Sequence, residues 1–169
     1  MQNHIEIEKK YIIEKPDPEV LWRTEGCKST KIVQIYLESP TGKTHRIRKR
    51  TGDGVSVYTE TVKVRIDRMS AFEDEREITE ERFVELSAKI KQGTRPIEKT
   101  RVSFPYHSRV IELDFYPEWE RSCIMEIELE KRDGEIEIPP FIRVLRDVTG
   151  ERAYSNASMS HAFPKEEKF

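Results

Sequence analysis

The sequence is poor in the features that usually announce a small enzyme. Its two cysteines, Cys27 and Cys123, belong to no ligand cluster or disulfide framework, so they read as reduced thiols rather than as a zinc module or a stapled secreted scaffold. No stretch approaches the ~20 apolar residues of a membrane-spanning helix. The opening MQNHIEIEKKYII carries charges where a secretion signal needs an unbroken apolar run, and the expectation is a cytoplasmic protein without a membrane partner. Neither charge sign is in excess: 30 Lys and Arg against 32 Asp and Glu leave a net charge of -2. That excludes a uniformly basic nucleic-acid binder, though not a local basic track. There is no Gly-rich loop followed by Lys-Ser/Thr, no His-Glu-x-x-His and no Gly-x-Ser-x-Gly, and His4, His45, His107 and His161 have no regular ligand spacing.

What the 169 residues do contain is charge, at 37%, against only 36% hydrophobic residues. Such a composition invites disorder, but the balanced sign and repeated apolar alternation argue for a folded chain. HIEIEKKYII sets Ile5, Ile7, Tyr11 and Ile13 against Glu6, Glu8 and Lys10, the period of a strand. KIVQIYLE, THRIRKR and VSVYTETVKVRI continue as strands, with turns at Gly42–Lys43 and Gly52–Gly54, and FEDEREI follows. The period then changes: Thr79 caps a predicted helix with Glu80 and Glu81 in its first turn and Phe83, Leu86 and Ile90 as its apolar stripe, ended by Gly93. PIEKTRVSF, RVIELDFY and CIMEIELEK read as strands. The prolines at 139 and 140 open a predicted short helix, FIRVLRDVTG, burying Phe141, Val144, Leu145 and Val148. One domain is expected over 1–162, with 163–169 a flexible tail.

Seven or eight strands in so short a chain call for control of sheet edges, which a closed antiparallel barrel supplies. Most strands carry one charged face and one apolar face. If the apolar faces pack under helices outside, the charged faces line a wet interior. The charges are also sorted by sign: acids at 6/8, 73/75, 112/114 and 126/128, bases at 46/48/50, 63 and 99/101. This sorting suits a polyphosphate-like anion with a divalent metal, although an ordinary half-exposed sheet also alternates in this way.

The ordered set of short motifs resembles the CYTH superfamily, the triphosphate tunnel metalloenzymes. The Glu-x-Glu-x-Lys signature is present as Glu6, Glu8 and Lys10, and the Gln-x-Tyr-Leu element as Gln34, Tyr36 and Leu37. Arg46 and Arg48, Thr61 and Lys63, Glu73 and Glu75, Lys99-Thr100-Arg101, Glu112 and Asp114, and Glu126 and Glu128 follow in family order. Val148-Thr149-Gly150 and Tyr154-Ser155-Asn156 close the pattern. The chain departs from it at Ala71, where members often have arginine, and Arg68 in the preceding loop is the nearest replacement. Arg50 extends the arginine row.

The resemblance implies an α+β fold, an eight-stranded antiparallel closed barrel with helices outside, that hydrolyses inorganic triphosphate to diphosphate and phosphate with Mg2+ or Mn2+. Arg46, Arg48, Arg50, Lys63, Lys99 and Arg101 would bind the substrate, arginine as a fork and lysine as a point charge. Glu6, Glu8, Glu126 and Glu128, with Glu73, Glu75, Glu112 and Asp114 nearby, would supply hard oxygen ligands for the metal. Lys10 and Tyr36 would place or activate the attacking water. The expected partner is a small polyanion, with no nucleic acid, and a homo-oligomer stays open. Nucleoside- or thiamine-triphosphate hydrolysis, adenylate cyclisation, and a non-catalytic polyphosphate- or nucleotide-binding module are the competing functions.

Overall fold

Period-two alternation closes on itself in this chain. The computed structural model describes residues 2–169, with side chains from His4 onward. Its elements are β1 (Gln2–Glu14), α1 (Pro18–Trp22), β2 (Lys28–Leu37), β3 (Lys43–Gly52), β4 (Val55–Arg65), β5 (Ser70–Ile78), α2 (Glu80–Ser87), β6 (Ile97–Tyr106), β7 (Arg109–Phe115), β8 (Ser122–Glu128), β9 (Val144–Asp147) and α3 (Asn156–His161). Strand order is β5-β4-β3-β2-β6-β7-β8-β1, and β1 returns to β5, so eight antiparallel strands form a closed barrel. β1 closes it by changing partners: residues 2–7 pair with β5 and residues 8–14 with β8.

The two strand faces have different fates. Outside, Ile13, Val102, Phe104, Leu113, Cys123, Met125 and Ile127 form an apolar layer under Leu21 of α1 and Phe141 and Ile142 of the chain that precedes β9. Ile35, Leu37 and Ile47 form a second layer under Phe83 and Leu86 of α2. Side chains buried in this way stabilise the fold by roughly 1.5–3 kcal/mol each. α2 starts where the Thr79 hydroxyl accepts from the N–H of Arg82, and Glu80 and Glu81 favour its first turn. Inside, three strands replace charge with isoleucine at one end. Ile12, Ile97 and Ile124 join Tyr36, Tyr116, Trp119, Tyr154 and Met159 of α3 in a buried plug.

One predicted element is wrong. Residues 141–150 do not form a helix: a turn at Pro139–Ile142 leads into β9, which pairs with Tyr11–Ile13 of β1. The β5 pairing ends at Ile7, so β1 has an open edge there whose backbone groups need partners, and β9 supplies them. The apolar residues divide accordingly, Phe141 and Ile142 to the outer layer and Leu145 and Val148 to the plug, so no single helical stripe exists.

The C-terminal residues run back along the barrel. The indole Nε1 of Trp119 donates to the carbonyl of Pro164 at 2.9 Å. The carboxylate of Glu166 accepts from the N–H groups of Glu120, Arg121 and Ser122 and from the Ser122 hydroxyl. Glu167 binds Arg146 at 2.5 Å. Cys27 and Cys123 are free thiols. No helix among the described residues is long and apolar enough to cross a membrane.

Candidate active site

The barrel encloses a cavity of about 560 Å³. Because β-strand side chains alternate, each charged row projects into it: Glu6, Glu8 and Lys10 from β1, Tyr36 from β2, Arg46, Arg48 and Arg50 from β3 and Lys63 from β4. Glu73 and Glu75 from β5, Lys99 and Arg101 from β6, Glu112 from β7 and Glu126 and Glu128 from β8 complete the lining. Asp114 does not reach the cavity. It is fully buried beneath the lining, bound to Lys99 Nζ at 2.5 Å and to Arg101 through Nε at 2.7 Å and Nη2 at 2.8 Å. Its part in this structure is to hold two cations upright rather than to offer oxygen to a ligand.

Every lumen cation has an acidic neighbour. Glu75 accepts from Arg48 and Arg50, each at 3.0 Å, and from the Thr61 hydroxyl at 2.8 Å. Lys63 lies 2.5 Å from Glu6 and 3.6 Å from Glu73, which also meets Arg46 at 3.3 Å. Lys10 lies 3.1 Å from Glu126 and 3.8 Å from Glu8. Arg101 binds Glu112 and reaches Glu126 at 3.1 Å.

The pairing is incomplete, and it fails with opposite sign on the two sides. On the β3 side, burial and the like charges of Arg46, Arg50 and Arg101 lower Arg48 to about 10. On the β1 side, burial and the Glu126 carboxylate raise Glu8 to about 7. Burial likewise raises Glu112 and Glu128, with Glu126 and Glu6 respectively adding repulsion. Arg48 therefore favours an added anion and Glu8, Glu112 and Glu128 an added cation, whereas Arg46, Glu6 and Glu126 are held charged by the countercharges already beside them.

Individual atoms repeat this. The Nε groups of Arg46 and Arg48 are buried donors without acceptors, and Glu73 Oε2 is a buried acceptor without a donor. Buried polar atoms are rarely left so. Phosphate oxygens would satisfy the first pair, and a hard divalent cation would satisfy the last.

No three acidic, histidine or cysteine side chains among the described residues converge closely enough to hold a metal ion. The ammonium groups of Lys10 and Lys63 stand between the carboxylates that would have to meet. The donors are nevertheless carboxylate oxygens throughout, the ligand type suited to Mg2+ or Mn2+.

Lys10 and Tyr36 sit at the plugged end. Burial opposes the charge on Lys10, but Glu126 and Glu8 outweigh it and raise its pKa above the ordinary lysine value. Burial raises Tyr36 as well. Gln34 Nε2 donates to the Tyr36 hydroxyl at 2.5 Å, which leaves the phenolic proton free for another acceptor. Both groups thus keep their protons near neutrality and present donors.

Three further cations line the cavity at this end. Arg68 lines it while its Nε donates to the carbonyl of Thr149 at 2.7 Å. Ala71 is a small lining residue nearby. Lys43 and Arg152 also line the cavity, and neither stands out in the sequence. Lys43 reads as a turn residue and Arg152 as a spacer in the closing motif, and only barrel closure brings them to one cavity.

The sequence matches no protein-family model and no curated protein. Solved structures are more informative. The hypothetical protein NE1496 is 26% identical, with a TM-score of 0.58 over 94% of this chain and 99% of that one. A second structure of it, described as the inorganic triphosphatase NE1496, is 25% identical with a TM-score of 0.60, over 94% and 96% of the two chains. PH1819 from Pyrococcus horikoshii OT3 shares the fold at 22% identity, with a TM-score of 0.59 over 76% and 80%. An eight-stranded closed barrel with charged rows turned inward, and a likeness that runs almost the full length of NE1496, give this chain the triphosphate-tunnel fold of the CYTH superfamily.

Proposed function

We propose that the protein hydrolyses inorganic triphosphate to diphosphate and orthophosphate with Mg2+ or Mn2+. The carrying observation is a cavity left under-compensated in both signs: the buried Nε donors of Arg46 and Arg48 lack acceptors and Arg48 is lowered to about 10, while Glu73 Oε2 lacks a donor and Glu8 is raised to about 7. The name inorganic triphosphatase borne by NE1496 supports the same reading.

Arg46, Arg48 and Arg50 of β3 bind the phosphate oxygens, flanked by Lys63 on the adjacent β4 and by Lys99 and Arg101 on β6 in the other direction, so the chain is fixed along the tunnel. Asp114 holds Lys99 and Arg101 in place without taking ligand. Glu6, Glu8, Glu126 and Glu128 would hold the metal, with Glu73 and Glu75 on the neighbouring β5 and Glu112 beside Glu126. A divalent ion held by these carboxylates would supply charge neutralisation for the phosphates and polarisation of the attacking water. Lys10 and Tyr36, both protonated, orient that water and the terminal phosphate as donors rather than acting as bases.

A bare triphosphate fits this lining better than a nucleotide or thiamine triphosphate. Tyr36 is the one Phe, Tyr or Trp among the described lining residues, and it is buried with its hydroxyl held by Gln34. No Phe, Tyr or Trp ring among the described lining residues is free to stack on a base. A side-by-side assay of phosphate release from triphosphate, ATP and thiamine triphosphate tests the proposal. Triphosphate should be preferred by about tenfold or more in kcat/KM, and equal or greater turnover of ATP would overturn it.

A further inference from the structure

β2 gives the tunnel its uncharged lining. By parity its lumen face carries Ile32, Gln34 and Tyr36, while the two strands hydrogen-bonded to it carry cations, Arg46, Arg48 and Arg50 on β3 and Lys99 and Arg101 on β6. Register sets Gln34 directly opposite Arg48 and Tyr36 opposite Arg46. Side chains opposed in this way on one face of an antiparallel pair are neighbours. Gln34 is fully buried, and it lines the cavity together with Tyr36.

The two ends of the Gln34 amide have different surroundings. Nε2 donates to the Tyr36 hydroxyl at 2.5 Å, whereas Oε1 is buried and has no donor. The reverse orientation would let Oε1 accept the phenolic proton, but it would leave the N–H end of the amide unpartnered beside the Arg48 guanidinium. A neighbouring cation favours the carbonyl, the negative end of the amide dipole, as the free end. The Tyr36 oxygen is thus already an acceptor, and its proton goes to no acceptor among the described residues. The charges that act on Tyr36 are Arg46, Lys10 and Lys63, all of them donors. Packing alone does not account for an amide at this position: methionine fills a similar volume without a buried, unpartnered acceptor, which folds ordinarily avoid.

We propose that Gln34 is a positioning residue for the hydrolysis: its amide, held in one orientation by the cations beside it, commits the Tyr36 hydroxyl to donating into the lumen, toward the oxygens of the terminal phosphate. This rests on reading Tyr36 as a donor to the substrate and names what gives that donor its direction. A hydroxyl without Gln34 keeps its proton but has to be ordered at the moment of reaction rather than beforehand.

Phosphate release from inorganic triphosphate with Mg2+ tests the role in a double-mutant cycle of Gln34→Met and Tyr36→Phe, with Gln34→Glu beside it. Gln34→Met should lower kcat about fivefold with little change in KM. Gln34→Glu, whose carboxylate takes the phenolic proton, should lower kcat about tenfold, the loss expected of Tyr36→Phe. Added to Tyr36→Phe, Gln34→Met should cost no more than about twofold, because the group it directs is gone. Triphosphate affinity in metal-free titration calorimetry should stay near the parent's in Gln34→Met, and its melting temperature should equal or exceed the parent's, since an unpartnered acceptor is removed. If Gln34→Met melts well below the parent, the isosteric Gln34→Glu takes its place in the cycle, again with little further loss once Tyr36 is phenylalanine. A parent-like kcat in both Gln34 variants, or a loss as large with Tyr36→Phe as without it, would overturn the role. A parent that releases no phosphate would remove the hydrolase reading and this role together, whereas a hydrolysing parent with an additive cycle would remove the role alone.

Discussion

Lys10 Nζ lies 3.1 Å from Oε1 of Glu126, across the β1–β8 ladder that sets the two residues opposite each other. With Glu8 at 3.8 Å, this pairing keeps the lysine charged above its ordinary range. Charge and donor geometry, not basicity, are then what Lys10 offers. Lys10→Met should lower kcat by about a hundredfold with a smaller change in KM, the scale of losing one preorganised donor. Lys10→Arg should recover part of the loss, and Tyr36→Phe should cost about tenfold. Steady-state kinetics decide: no recovery by arginine, or a parent-like Lys10→Met, would contradict the donor role.

Arg48 sets binding against stability. Its charged form is disfavoured by burial and by Arg46, Arg50 and Arg101, while Glu75 retains Arg50 and Thr61 if Arg48 is removed. Arg48→Ala should raise the KM for triphosphate about tenfold or more while leaving the ligand-free melting temperature unchanged or higher. A large fall in melting temperature with an unaltered KM would show that the guanidinium is structural.

Gly150 is required by its surroundings. Its φ is +75°, and an added Cβ would lie 2.0 Å from Arg68 Cγ and 2.7 Å from the Arg68 carbonyl oxygen. Gly150→Ala should therefore destabilise the protein by about 2 kcal/mol or more in chemical denaturation. It should also displace Arg68 from the cavity lining.

Acid sensitivity should come partly from Glu166. Burial opposes its charge, but the Ser122 hydroxyl and the N–H groups of Glu120, Arg121 and Ser122 together hold it down to about 2. A carboxylate depressed in the folded state contributes stability that is fully present above the unfolded value and is lost as pH falls through the folded one. The melting temperature should fall between about pH 4.5 and 2, and Glu166→Gln should be less stable at neutral pH with a shallower decline. An identical decline in the variant would remove Glu166 from the account.

Much of the barrel was legible because charge and apolarity alternate so regularly along the strands. Residues such as Arg46, Arg48 and Arg50 on β3 take the lumen face by parity alone. Asp114 shares the parity of Glu112, yet lies under Lys99 and Arg101, since how deep a carboxylate sits depends on the reach of the side chains opposite. β9 was unreadable for a different reason: its four residues respond to an open edge of β1, a tertiary fact that local periodicity cannot carry. Lys43 and Arg152 are more than a hundred residues apart and share a cavity only once the barrel closes.

The central claim is that a cavity under-compensated in both charge signs makes this tunnel a metal-dependent triphosphatase. Phosphorus NMR of inorganic triphosphate incubated with the protein, across a titration of Mg2+ and then Mn2+, tests it most directly. The expected result is diphosphate and orthophosphate in equal amounts, at a rate that rises with metal and vanishes with a chelator. An unchanged triphosphate spectrum at every metal concentration, or hydrolysis that persists in the chelator, would contradict it.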